Sequence, residues 1–332
     1  MTPRAGAPAG PGRDHASLRS RAMPPATHVF DRLSDACRAA GSAVCVGLDP
    51  HLDLLPPDDR GRDPVPRVRA FLFEILAAIE GVVPCVKPQI AFFEALGPEG
   101  YALYFDVIRE AHRRRLFVIG DVKRADIGST AAAYARAHLR PDDGSAADAV
   151  TVNPYLGFDG VEPFLKVGRA KGRGVFVLTR TSNPSAAEFQ GARPREPVQP
   201  SSQAHGAPRA PLFLEVGRAL ERWGDGHAGD RGFTDVGAVV GATHPDEGEL
   251  LRLALPRTFF LVPGYGTQGA TAADVARTFD AKGGGAIVNS SRAILFAWKD
   301  SPDGARRWAE LARAAAVSTG AAIAAALAAR AG

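Results

Sequence analysis

The residues best suited to chemistry lie in one short run, Asp121-Val122-Lys123-Arg124-Ala125-Asp126-Ile127-Gly128, with Thr130 just beyond it. The preceding Phe117-Val118-Ile119 is apolar and strand-like, so a carboxylate and an ammonium emerge directly from a hydrophobic core. Alternation along a strand puts Asp121 and Lys123 on the same face. An ion pair closing the end of a sheet would need only these two charges. Asp126 and, from an earlier strand end, Lys87 extend them to an alternating Asp/Lys cluster. Taking so many charges out of water costs several kcal/mol for each unless something is gained. The gain that fits is functional: charges preorganised in a dry site act far more strongly than the same charges in water.

Such a cluster needs rigid elements to hold it. Short apolar runs at 43–48, 82–86, 116–120, 149–152, 174–178, 236–240, 258–262 and 286–288 read as buried parallel strands. Segments with helical periodicity lie between them, among them 68–79, 100–114, 131–138, 212–223 and 272–281. Strand–helix alternation repeated eight times predicts a (β/α)8 TIM barrel. Barrel enzymes carry their chemistry at the C-terminal strand ends. Here those ends carry Asp49 after the first run, Lys87 after the second, Asp121 and Lys123 after the third, and Thr181 and Ser182 after the fifth. The seventh leads to Gln268 and the eighth to Arg292.

The central run resembles the D-x-K-x-x-D-I signature of the orotidine 5′-phosphate decarboxylases, and the similarity extends from residue 43 to residue 296. The resemblance implies loss of CO2 from orotidine 5′-phosphate to give UMP, the last step of de novo pyrimidine synthesis, with neither metal nor organic cofactor. It makes Lys123 the acid that protonates C6, sets Asp121 beside the departing carboxylate, and has Lys87 hold the charge array in register. It also implies a homodimer in which Asp126 and Thr130 complete the partner's site, with Asp49 on the ribose hydroxyls and Ser182 over the pyrimidine edge. Lys87 is followed by Pro88-Gln89, where many members of the family have small residues, which suggests a divergent bacterial branch.

Pro263-Gly264-Tyr265-Gly266-Thr267-Gln268-Gly269 satisfies G-x-G-x-x-G, but it precedes the last strand, whereas a dinucleotide fingerprint follows the first strand of its unit. Loops after strands seven and eight are the common phosphate site of these barrels, and glycine-rich backbone with an arginine fork suits a phosphate dianion. Gly266 and Arg292 fit that role, and the resemblance adds Gln268 as a bridge between pyrimidine and phosphate.

Composition narrows the rest. The 332 residues are 45% hydrophobic and 23% charged, ordinary for a globular chain. Of the formal +4 charge, most sits in residues 1–25, where Arg4, Arg13, Arg19 and Arg21 face Asp14 alone, so no nucleic-acid groove is implied. Residues 1–25, rich in Pro, Gly and Arg without an apolar core, read as a disordered extension to a single barrel domain over 26–332. The Pro/Ser/Ala-rich stretch 183–210 reads as an insert, either lid or disordered. Residues 314–331 are Ala-rich but interrupted by Ser318, Thr319, Gly320 and Arg330, so they read as a soluble helix with no membrane role. Cys37, Cys45 and Cys85 form no C-x-x-C pair, which suits a reducing cytoplasm, and the histidines show no metal-ligand spacing. The same D-x-K-x-x-D element occurs in metal-dependent phosphosugar lyases of the hexulose-phosphate synthase kind, which makes one alternative; a catalytically silent nucleotide-binding barrel is another.

Overall fold

Eight short strands rich in Val, Ile and Phe close into a parallel barrel: β1 (Val44–Leu48), β2 (Cys85–Pro88), β3 (Phe117–Arg124), β4 (Ala149–Val152), β5 (Gly174–Arg180), β6 (Val236–Val240), β7 (Phe260–Val262) and β8 (Ala286–Ser290). Each pairs with the next, and β8 returns to β1 through Val44↔Val288. The structure is a computed structural model that describes residues 27–57, 63–194, 210–266 and 268–331. The extension expected over 1–25 and the stretch 195–209 of the expected insert lie outside the described residues.

The expected (β/α)8 barrel is the observed one, with shifts at the strand ends. β2 begins at Cys85 rather than 82, because the turn after the helix Pro64–Ile79 runs through Gly81, at φ 74°, and Pro84 before the strand can start. That delay brings Lys87 inside the strand. β3 continues to Arg124, four residues past its expected end, so the charged run belongs to the barrel wall. The helix expected over 272–281 stops at Ala276, where Thr278 and Phe279 make tight turn bonds to Val275 and Ala276 instead.

Period-two alternation fixes which side chains fill the barrel. Cys45, Cys85, Phe117, Ile119, Ala149, Phe176, Val239, Phe259, Leu261 and Ile287 form one interior cluster. It is closed at the N-terminal end by the helix Val29–Ala40, whose Phe30 stacks on Phe259 with ring centroids 5.1 Å apart. A second shell of Leu, Ile, Val and Phe packs the outer faces of the strands against the surrounding helices. With the bottom sealed by aromatic rings, the polar ends of the strands share the opposite mouth.

The Ala-rich C-terminal segment is part of the helical stretch Gly304–Ala331, which is kinked at Arg307. By length and composition alone it is apolar enough to cross a membrane. It lies instead against the barrel, with Ala312, Ala316 and Ile323 buried. Arg313 Nη1 donates to the carbonyl of Ala78 at 2.5 Å, and Arg330 Nη1 to those of Ala276 and Phe279 at 2.7 and 2.9 Å.

Candidate active site

The interior alternation continues upward into charge. After Cys85 the next inward residue of β2 is Lys87; after Phe117 and Ile119 on β3 it is Asp121; after Ala149 on β4 it is Thr151. Lys87 and Asp121 are thereby buried, 6% and 4% exposed. Asp121 Oδ2 accepts from Lys87 Nζ at 2.6 Å and Gln89 Nε2 at 2.9 Å, while Oδ1 accepts from Lys123 Nζ at 2.5 Å and the Thr151 hydroxyl at 2.9 Å. Burial by itself would raise the Asp121 pKa, but the charges of Lys87 and Lys123 and their hydrogen bonds outweigh it and hold the carboxyl well below its usual range. Lys87 is the mirror case: burial opposes its charge, and Asp121, then Asp49, push its pKa above the ordinary lysine value. Asp121 is thus held between the Lys87 and Lys123 side chains.

Lys123 reaches Asp121 by a route other than plain alternation. Gly120 pairs with Val150 and Arg124 with Val152, so β3 bulges between them. Lys123 sits in the left-handed region at φ 44°, a conformation that costs a non-glycine residue roughly 1–2 kcal/mol. Its amide donates to the Thr151 hydroxyl at 3.0 Å. The bulge turns the Lys123 side chain toward the mouth, where it is 46% exposed, whereas straight alternation would have buried it beside Asp121. Bulges commonly re-aim a side chain next to active sites.

Lys87, Asp121, Lys123 and Thr151 form one wall of a cavity of about 390 Å³, with Leu178, Val239, Leu261 and Pro263 supplying an apolar side and Thr181, Ser182 and Asn183 a polar lip. That lip is held in place: Gln190, at the end of the short helix Ala187–Gln190, accepts from the Thr181 amide at 2.9 Å and donates to the Thr181 hydroxyl at 2.8 Å. A larger cavity of about 580 Å³ opens at the N-terminal strand ends beside Arg38 and Gly283. Size does not decide between them, since Lys87, Asp121 and Lys123 line only the smaller.

On the β1 side, Asp49 Oδ2 accepts from the Ser291 hydroxyl at 2.7 Å, while Oδ1 is buried without a hydrogen-bond partner among the described residues. An unmet buried acceptor favours a ligand donor such as a hydroxyl. Gly47 makes room for this pair, because a Cβ there would come within 2.8 Å of Ser291 Cβ. The loop after β7 turns through Gly264, Gly266 and Gly269, all at positive φ, and folds Gln268 back so that its Oε1 stands near Gly264, close to Ser182 and Thr243. Arg292, exposed, starts the helix Arg292–Leu295 after the neighbouring β8. Gly266, Gln268 and Arg292 therefore come from adjacent strand ends.

Asp126 and Thr130 stand apart from the array. The Asp126 carboxylate accepts from the Ile127 amide at 2.8 Å, and among the described residues it is not one of the partners of Lys87, Asp121 or Lys123. The four-charge cluster expected from the sequence is thus a three-charge array within one chain. Sequence reasoning passed over Thr151, Gln89 and Ser291. Thr151 had a legible signal, a lone hydroxyl at the inward, C-terminal position of an otherwise apolar strand; Gln89 and Ser291 became visible only once their strands were paired.

Fold and site together define an α/β barrel that carries a buried lysine–aspartate pair at its C-terminal mouth. Comparison with known proteins gives the family. The model of the orotidine 5′-phosphate decarboxylase / HUMPS family matches residues 42–306, and the chain belongs to this family. It is 42% identical over 279 residues to the orotidine 5′-phosphate decarboxylase of Rhodopirellula baltica, covering 81% of this chain and 88% of that one. With the decarboxylase of Petrotoga mobilis it shares 40% identity over 289 residues, 86% of this chain and 95% of that protein. A crystal structure assigned as an orotidine 5′-phosphate decarboxylase from Streptomyces avermitilis superposes with a TM-score of 0.75 at 34% identity, covering 92% of this chain and 98% of that one.

Proposed function

We propose that the site decarboxylates orotidine 5′-phosphate to UMP and CO2, completing UMP synthesis, with Lys123 as the proton donor. The observation that carries this reading is Asp121 held between two ammonium groups on the wall of a half-apolar cavity, in a chain of this family. In the reaction the C6–carboxylate bond breaks and its electron pair stays on C6. Lys123 Nζ stabilises that charge and delivers a proton to it. Asp121, ionised by its partners, disfavours the substrate carboxylate nearby and favours the state in which CO2 has left. Lys87 keeps Asp121 charged in a buried position.

Binding of the remote parts of the substrate supplies the rest. Asp49 takes the ribose hydroxyls with its unpaired Oδ1, Ser182 meets the pyrimidine edge, Gln268 links base and phosphate, and Gly266 with Arg292 holds the phosphate. Both Asp121 oxygens already accept from lysines, so a metal bound there would have to displace an ammonium; this favours cofactor-free chemistry over a metal-dependent lyase. The reading extends to a cytoplasmic homodimer in which Asp126 and Thr130 reach the partner's site. Supporting it, Asp126 precedes exposed Ile127, and its carbonyl and Leu156 Cβ both border Gly160, next to exposed Tyr155 and Phe158.

The test follows the loss of orotidine 5′-phosphate absorbance with purified protein in excess EDTA, beside Lys123→Ala. Turnover that survives EDTA and collapses in the variant is expected. No turnover, or turnover only on adding Mg2+, would overturn this reading and move the assignment to a phosphosugar lyase.

A further inference from the structure

The bulge in β3 leaves Asp121, Val122 and Lys123 all facing one residue of β4, Thr151. A bulge takes backbone N–H groups off the ladder, and each buried one needs another acceptor. The Lys123 amide finds the Thr151 hydroxyl at 3.0 Å. That hydroxyl donates in turn to Asp121 Oδ1 at 2.9 Å, the same oxygen that receives Lys123 Nζ. One side chain therefore touches Lys123 at its backbone and at the far end of its ion pair. Thr151 is 1% exposed, so water does not compete for either bond. An apolar residue would fill the same space, but only a group that accepts and donates at once can serve both partners, and a hydroxyl is the smallest that does.

We infer that Thr151 is a positioning residue for the decarboxylation: its hydroxyl holds Lys123 in the left-handed backbone conformation and fixes its ammonium against Asp121. The inference rests on the decarboxylase reading for its catalytic consequence, but the position of Lys123 can be observed without substrate. The lysine's rare conformation is thus built from β4, across the strand pair, as well as from its own strand. Gln89, the other neutral donor to Asp121, binds the opposite oxygen and has no contact with the Lys123 amide.

The test compares Thr151→Val, which keeps the shape and loses the hydroxyl, with Thr151→Ser, which keeps the hydroxyl. For Thr151→Val, kcat is expected to fall about 100-fold, the scale of an ångström's misplacement of a reacting group, with KM and calorimetric UMP affinity unchanged. Thr151→Ser should keep the wild-type kcat. A crystal structure of Thr151→Val should show Lys123 out of the positive-φ region and its Nζ displaced from Asp121. An undiminished kcat in Thr151→Val, a loss confined to KM, a loss shared by Thr151→Ser, or an unmoved Lys123 in the crystal would each overturn the inference. Should Thr151→Val fail to fold, Thr151→Ala gives the same readouts. A wild-type protein that does not decarboxylate the substrate would defeat the proposed function alone, because the crystal structures still read the position of Lys123.

Discussion

At the scale of single residues, one carboxylate gathers the site's donors. Asp121 is buried, yet both its oxygens are occupied by donors, two charged and two neutral. Removing Lys87 leaves that carboxylate with a missing charge partner at the most buried contact, where both side chains are under 10% exposed. Lys87→Ala should therefore destabilise the fold by about 3–5 kcal/mol, as for other broken buried pairs, read as a lower urea midpoint at unchanged m-value. Lys123 is half-exposed at the mouth, so its loss is a loss of chemistry more than of stability. Lys123→Ala should lower kcat by about 10³-fold or more, the upper part of the range for a positioned proton donor, while its urea midpoint stays near wild type. A large stability loss in Lys123→Ala would show that the ion pair is a structural lock instead.

Elements meet at two further points where substitution has a definite outcome. Helix Gly97–Arg113 packs on β3 through Tyr104, whose hydroxyl would lie 2.6 Å from a Cβ at Gly120. Gly120→Ala must push the helix or the strand, costing about 1–3 kcal/mol, and because Asp121 is the next residue, kcat should fall with Tm. The same helix carries His112, whose Nε2 lies 3.0 Å from Asp148 Oδ2 and whose Nδ1 lies 2.8 Å from the Gly144 carbonyl. Both ring nitrogens face acceptors, so the imidazolium is the form that satisfies the site. Burial alone lowers the His112 pKa, but the Asp148 hydrogen bond and charge outweigh it and the net shift is upward. A folded-state pKa above the unfolded one contributes stability that is complete below pH 6.5 and is lost as pH rises through the raised value. Asp148 has the opposite sign: burial works against its charge, but His112 and Arg32 bring it down to about 2, so its contribution is present above 3.8 and fades as pH falls toward 2. Urea midpoints measured across these windows should decline at both edges, and His112→Gln should flatten the upper one.

For the whole molecule, the barrel is sealed below by Phe30 and its neighbours, and the helix Gly304–Ala331 lies over the outside near β1. Its remaining exposed apolar surface around Asp126 includes Tyr155, 87% exposed, with Ile127 and Leu156. If two chains meet there and exchange Asp126, then Lys123→Ala and Asp126→Ala proteins, each nearly inactive, should complement one another. Random reassortment into symmetric dimers makes half of them mixed, each with one intact site, so an equimolar mixture should recover about a quarter of wild-type activity. No recovery after subunit exchange, verified by sedimentation, would mean that Asp126 acts within its own chain or not at all.

The barrel and most of the candidate site residues are legible in the order of residues alone. Apolar runs of strand length recurring eight times leave few alternatives to a closed parallel sheet, and the polar residues at their C-terminal ends identified Asp121, Lys123, Lys87 and Asp49 before any contact was known. β4 and β6 fell on their expected residues because each is a clean apolar run between breakers. Tertiary structure alone decided how those residues meet. Alternation within a strand is local, so it could not foresee that β3 bulges opposite Thr151, that Lys123 turns left-handed, or that Asp126 leaves the array for the surface. Gln89 and Ser291 were unreadable for the same reason: their partners, Asp121 and Asp49, lie across the sheet, and a hydrogen bond between strands depends on register, which only closure of the barrel sets.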